Sequence, residues 1–316
     1  MPERVLTQRE LNRALLSRQL LLKRARTPLP RALERIGGIQ AQYAPSMYIG
    51  LWSRLDGFER DNLTRALEQR SVAQGTLLRG TIHLVSAADW WPWSVAIHDG
   101  RREWWIQAHR RRMDTRKLAA AARRLRLHLK NGPMRKSEIE ELLGRESAFG
   151  VGIFLDLVRV PPSGTWERRR ADIYAAAEDW LGPAKVKRTD AVDLLVQRYL
   201  SGFGPAPAKD IANWAGLPGV DVTAALRRLN LRRFRDEQGK ELVDLPRASL
   251  PDPETPAPVR FLPTWDATLL AHARRTQILP EKYRERVFHV KVPQSVSTFL
   301  VDGQVAGTWR FESGRV

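Results

Sequence analysis

The sequence predicts an α+β protein, mainly α, on three observations. Its 316 residues are 43% hydrophobic and 8% aromatic, enough to bury a continuous core and enough chain for two or three compact units. Apolar residues recur at helical spacing and give way, at three places, to short β-branched runs around a glycine turn. That order, helices and then a hairpin, comes round three times in passes of about 60 residues.

In the first pass, residues 7–24 set Leu11, Leu15, Leu16, Leu20 and Leu22 near one helical face behind Thr7 and Glu10, which match a capping box. A second helix starts after Pro30 and runs into Gly37 and Gly38, and a third covers residues 61–69. Residues 76–86 read as a tight hairpin turning at Arg79-Gly80. In the second pass, helices are expected over 115–129, from Ser137 (the expected N-cap) to Leu143, and over 149–157. The strands of its hairpin flank Pro161-Pro162-Ser163-Gly164. The third pass has helices over 189–200, 208–215 and 220–229 and a hairpin turning at Gln238-Gly239. Three helices and a hairpin describe a winged helix, so three are expected in tandem, at residues 1–88, 89–186 and 187–246. Six prolines from Pro246 to Pro263 predict an extended connector, and residues 299–311 a hairpin with Asp302-Gly303 at its turn. Residues 247–316 therefore form a connector and a C-terminal β element. That element ends at Val316 on what reads as a strand, and part of it is expected to be missing.

Fifty-three Lys and Arg against 35 Asp and Glu give a net charge of +18. On a folded protein that excess predicts a polyanionic partner, with nucleic acid first, because each phosphate neutralised releases condensed counterions. No run of about 18 apolar residues and no apolar core near the N-terminus predict a cytoplasmic protein without a membrane partner. The absence of cysteine excludes disulfides, thiolate metal sites and cysteine nucleophiles. The six histidines lack metal-ligand spacing, so neither metal nor cofactor is expected.

Residues 101–130 hold eleven Lys and Arg against Glu103 and Asp114, including the adjacent Arg110, Arg111 and Arg112, which cannot all share one helix face. Arg168, Arg169 and Arg170 follow the turn of the second hairpin, where wings reach phosphates. Trp90, Trp91, Trp93, Trp104 and Trp105 cluster tightly and are read as core rather than as base-stacking residues.

Residues 37–55 are the least regular string. Gln40 and Gln42 flank Ala41; on a helix they would point about 200° apart, whereas in an extended segment they share a face. If both amides serve one site, the segment is not helical. Around these residues the sequence resembles the winged-helix DNA glycosylases of the AlkZ-like, azinomycin-resistance type, which excise alkylated bases and unhook interstrand crosslinks. The matching pieces are Gln40-Ala41-Gln42, Arg79 to Val85, Ser163 to Arg168, Val301-Asp302-Gly303 and Gly307 to Arg310. They follow the family's order over most of the chain. In the sister YcaQ-like branch the second glutamine is aspartate, so Gln42 speaks against that branch.

The resemblance implies a concave DNA-binding surface built by three winged helices, with Gln40 and Gln42 as catalytic residues near the lesion and a hairpin probing the duplex. Tyr43, Tyr48 and His83 are the candidates to line a lesion pocket. Arg79, Arg110, Arg111, Arg168, Arg169, Arg170 and Arg310 are the candidates to bind DNA. The expected partner is double-stranded DNA containing alkylated bases, met by a monomer, and family members in antibiotic gene clusters act in self-resistance. An amide takes no proton at neutral pH but orients a water, which suffices when the leaving base is already cationic, as N7-alkylguanine is. The alternatives are a non-catalytic winged-helix transcriptional regulator and, behind it, an RNA-binding protein.

Overall fold

Thr7 and Glu10 form the expected capping box: Thr7 Oγ1 accepts the Glu10 N–H at 3.2 Å and Glu10 Oε2 accepts the Thr7 N–H at 2.8 Å. The helix they start, Gln8–Arg18, is shorter than the apolar spacing suggested, because Leu20 turns the chain at φ 58°. These details come from a computed structural model that describes residues 4–111, 114–170, 172–273, 275–288 and 296–312.

Three winged helices follow one another. The first consists of helix Leu29–Ile36, strand Ile39–Gln40, helices Ala44–Arg54 and Arg60–Glu68, and strands Val72–Thr76 and Ile82–Ser86. Helix Ala44–Arg54 went unread because Pro45, Gly50 and its aromatics are weak helix formers. Burial of Met47, Tyr48 and Leu51 overrides that propensity. The second has helices Thr115–Leu129, Lys136–Leu143 and Arg145–Gly150 with strands Leu157–Arg159 and Ile173–Ala176. Here the N-cap is Arg135 rather than Ser137, and the last helix begins four residues earlier than expected, after Gly144 at φ 77°, and runs through a 3₁₀ turn only to Ile153. The third has helices Arg188–Phe203, Ala208–Ala215 and Gly219–Arg228 with strands Arg232–Asp236 and Glu241–Asp244. Between the first two units runs the 23-residue helix Ala87–His109, which the sequence reading did not resolve. It buries Trp90, Trp93 and Trp105 as expected of core, but leaves Trp104 63% exposed.

Two features cross the expected boundaries. Strand Val5–Leu6 pairs in parallel with Arg232–Asp236, and Leu15 and Leu16 share a core cluster with Tyr199 and Phe203. The N-terminal segment assigned to the first unit thus packs with the third. The hairpins of the first two units also fuse into one six-stranded sheet, joined where Gln74 pairs with Arg159 and Gly75 with Val158. Gly75 is required there: a Cβ would lie 2.3 Å from Trp90 Cη2 and 2.8 Å from the Leu157 carbonyl oxygen.

The C-terminal sheet is Arg260–Leu262, Thr298–Val301 and Gln304–Thr308, with the expected turn at Asp302-Gly303. That turn does not project. Arg13 donates to Asp302 Oδ1, Arg9 Nη1 to Asp302 Oδ2 at 3.0 Å, and Asn12 Nδ2 to the Gly303 carbonyl at 2.8 Å. The turn is docked on helix Gln8–Arg18, which corrects the expectation that it is free to probe the duplex. The strand expected at the extreme C-terminus, Arg112 and His289 lie outside the described residues. Among the described residues no helix is long and apolar enough to cross a membrane, and no cluster of His, Asp and Glu has the arrangement of a metal site.

Candidate functional site

Helix Leu29–Ile36 ends on Gly37 in the left-handed conformation, and Gly38 follows at φ 67°. A side chain at Gly38 would press on Trp93 and on the Leu84 carbonyl, so the glycine pair lets the chain turn tightly onto the sheet. The next residues, Ile39 and Gln40, form the edge strand of the six-stranded sheet, with Ile39 opposite Leu84 and Gln40 opposite His83. Ala41 continues the ladder by donating to the Ile82 carbonyl at 2.7 Å. The strand ends at Gln40 and Gln42 lies in a bend, so the segment is not helical, as expected if both amides serve one site.

The two amides differ in their freedom. Gln40 is only 6% exposed, and its side chain makes no hydrogen bond among the described residues. Gln42 is exposed, and its Oε1 accepts the Ile82 N–H at 2.8 Å. That bond takes one lone pair and leaves the second, together with both amide protons, available.

The second wing comes over the first unit beside Gln42. Its loop is held by Ser163 Oγ, which accepts the Ile173 N–H at 3.1 Å and bonds the Asp172 carboxylate at 2.9 Å. Arg169 Nη1 donates to the Tyr43 hydroxyl at 3.1 Å, and its guanidinium lies 5.7 Å from the Trp166 ring. Arg60 approaches the same ring at 5.5 Å, and Tyr48 meets it edge-on at 5.6 Å. Exposed Gln42, Tyr43 and Arg169 therefore form one polar, cationic surface over a Trp166–Tyr48 base. Trp166 and Arg60 were not singled out from sequence. The Ser-Gly-Thr-Trp string marked the first, but only the fold brings the two together.

Other candidates stand elsewhere. Tyr48 is buried, with its hydroxyl 3.1 Å from Thr64 Oγ1, and burial raises its pKa; it supports the surface rather than lining a pocket. His83 is likewise core: its ring meets Trp93 edge-on, Nδ1 lies 3.1 Å from the Thr81 carbonyl, and burial, with Arg79 nearby, holds its pKa down to about 3. It is a neutral imidazole. Arg79 is directed at the Trp214 carbonyl, Arg168 pairs with Asp172 at 3.5 Å, and Arg310 with Glu312 at 3.5 Å, so each has a partner within the protein. Arg110, Arg111 and Arg170 are exposed, and their side chains make no ion pair among the described residues.

A family model described as DNA glycosylase AlkZ-like matches residues 33–316. Among solved structures the fold is similar to the Streptomyces sahachiroi DNA glycosylase AlkZ, with a TM-score of 0.81 at 17% identity, over 98% of this chain and 89% of that one. No curated protein matches by sequence.

Proposed function

We propose, from the premise that the chain belongs to the AlkZ-like DNA glycosylase family and so hydrolyses N-glycosidic bonds in DNA, that its substrates are cationic N7-alkylated purines in duplex DNA. The observation that carries this reading is the pair of uncharged amides at an extended sheet edge, Gln40 unpartnered and Gln42 fixed by Ile82. Their carbonyls accept hydrogen bonds from one water and aim its oxygen at C1′. The C1′–N9 electron pair leaves with the purine, which becomes neutral, and the water's proton passes to solvent. Amides suffice because the base already carries the positive charge that bond breaking relieves; a neutral base would require an acid. The same logic extends to crosslinks and bulky adducts anchored at N7.

No lysine occurs between Lys23 and Lys117, so the motif has no amine close by in sequence for a Schiff base, and the expected product is an abasic site in an unbroken strand. Arg169 and Arg170 of the second wing, with Arg110 and Arg111 after the long helix, are assigned to backbone phosphates. The enzyme acts as a monomer in the cytoplasm.

The test is single-turnover excision from a duplex containing N7-methylguanine, read by alkaline cleavage at abasic sites. Gln40→Ala and Gln42→Ala are each expected to lower the rate by about 10²–10³, the cost of removing one well-placed polar contact from a transition state, with the dissociation constant little changed. Full activity in the double variant overturns the mechanism. Sequence-specific binding without abasic product would favour a regulator.

A further inference from the structure

A cleft of about 350 Å³ opens beside the turn of the first wing and shares no lining residue with the Tyr43–Arg169 surface. Its wall is one face of helix Ala87–His109, since Ile97, Gly100, Arg101 and Trp104 recur at i, i+3, i+4 and i+7. Gly80 of the wing turn and Gly216 after helix Ala208–Ala215 complete it. Its volume lies at the small end of the range for small-ligand sites, roughly 300–1,000 Å³.

Two observations say what it takes. Trp104 is 63% exposed, and its ring contacts no other ring or guanidinium among the described residues, so a large aromatic face is unoccupied at the cleft. Arg79 and Arg101 line the same cleft. Arg79 spends one donor on the Trp214 carbonyl and makes no ion pair among the described residues, whereas Arg101 donates to the Thr76 carbonyl at 2.8 Å and pairs with Asp156 at 3.4 Å, so Arg79 is the cation open to a ligand. An aromatic face with a fixed cation beside it is the combination that holds one unstacked base and its phosphate.

We propose that this cleft binds a single unpaired nucleobase, stacked on Trp104 with its phosphate towards Arg79. The proposal rests on DNA being the partner but not on the glutamine chemistry. Gripping an extrahelical base would hold the duplex locally opened while the sheet edge engages the lesion.

The probe is a duplex carrying one extrahelical 2-aminopurine, compared with the fully paired duplex. The wild-type protein is expected to bind the bulged duplex more tightly and to quench its fluorescence. Trp104→Ala should lose about 5- to 150-fold in affinity for the bulged duplex only, the range for removing one base–aromatic stack. Trp104→Phe should retain most of the preference and the quenching. A second variant leaves the tryptophan in place: Gly100→Leu fills the cleft from its wall, where a Cβ would meet nothing nearer than 3.9 Å. It should abolish the preference as well. An undiminished preference in both Trp104→Ala and Gly100→Leu, or equal losses on bulged and paired duplexes, overturns the proposal. Because the readout is binding, excision by the glutamine variants fails or succeeds separately.

Discussion

Gln42 completes the hydrogen bonding of Ile82 across the sheet edge, Oε1 to N 2.8 Å, in the position a backbone carbonyl takes in an unbroken antiparallel ladder. One side chain therefore has a structural and a chemical duty, and substitutions separate them.

Gln42→Glu keeps an acceptor at the same reach and should melt like the wild type while retaining excision, since a carboxylate also orients water. Gln42→Ala exposes the unpaired Ile82 N–H at the edge and should cost about 0.5–1.5 kcal/mol in urea denaturation. A much larger loss of stability would mean that its reduced rate reports unfolding rather than chemistry.

His83 gives stability a defined pH dependence. Its folded pKa of about 3 lies below the ordinary 6.5, so the folded state takes up its proton later than the unfolded state as pH falls. Its contribution is intact above about pH 6.5 and is lost progressively on acidification towards pH 3. Denaturant titrations at pH 7 and pH 5 should show a smaller loss in His83→Phe than in the wild type. The pH–rate profile should carry no inflection near 6.5 from this residue.

Gly75→Ala should destabilise by about 1–3 kcal/mol, the usual cost of overpacking, because the new methyl meets the Trp90 ring and the Leu157 carbonyl. Thermal melting gives the answer directly.

Asp302→Ala removes carboxylate contacts to Arg9 and Arg13, leaving the Arg13 guanidinium buried with fewer acceptors. A loss of about 1–3 kcal/mol is expected, with the excision rate per folded molecule unchanged. A selective fall in excision would restore a probing role to that hairpin.

Binding to undamaged duplex should weaken steeply with salt. Arg170→Ala should reduce the slope of log K against log salt by about 1, as loss of one phosphate contact does. Arg310→Ala, whose side chain pairs with Glu312, should leave the slope unchanged.

Local chemistry was legible in the sequence wherever it was carried by a few neighbouring residues. The Thr7–Glu10 capping box, the turns at Arg79-Gly80, Gln238-Gly239 and Asp302-Gly303, and the non-helical Gln-Ala-Gln string all follow from short-range rules. Helix Ala44–Arg54 was missed because burial of Met47 and Leu51 outweighs the propensities of Pro45 and Gly50. The pairing of Gln74 with Arg159, the docking of Asp302 on Arg13 and the approach of Arg169 to Tyr43 are contacts between distant residues, and no local pattern encodes them. For the same reason exposure of Trp104 was invisible: the tryptophan cluster spans both faces of one helix, and only packing decides which rings are covered.

The continuous sheet shared by the first two winged helices changes who bears the strain when DNA is engaged. Two units hinged by a linker could close around a straight duplex, each adjusting its own angle. Units stitched strand to strand through Gly75 and Val158 cannot change their mutual angle freely. Any bending that docking demands is then expected to fall on the duplex, at a cost of about 1–6 kcal/mol that depends on the sequence being deformed. Excision should then be fastest where the steps around the lesion are soft, such as TA and CA.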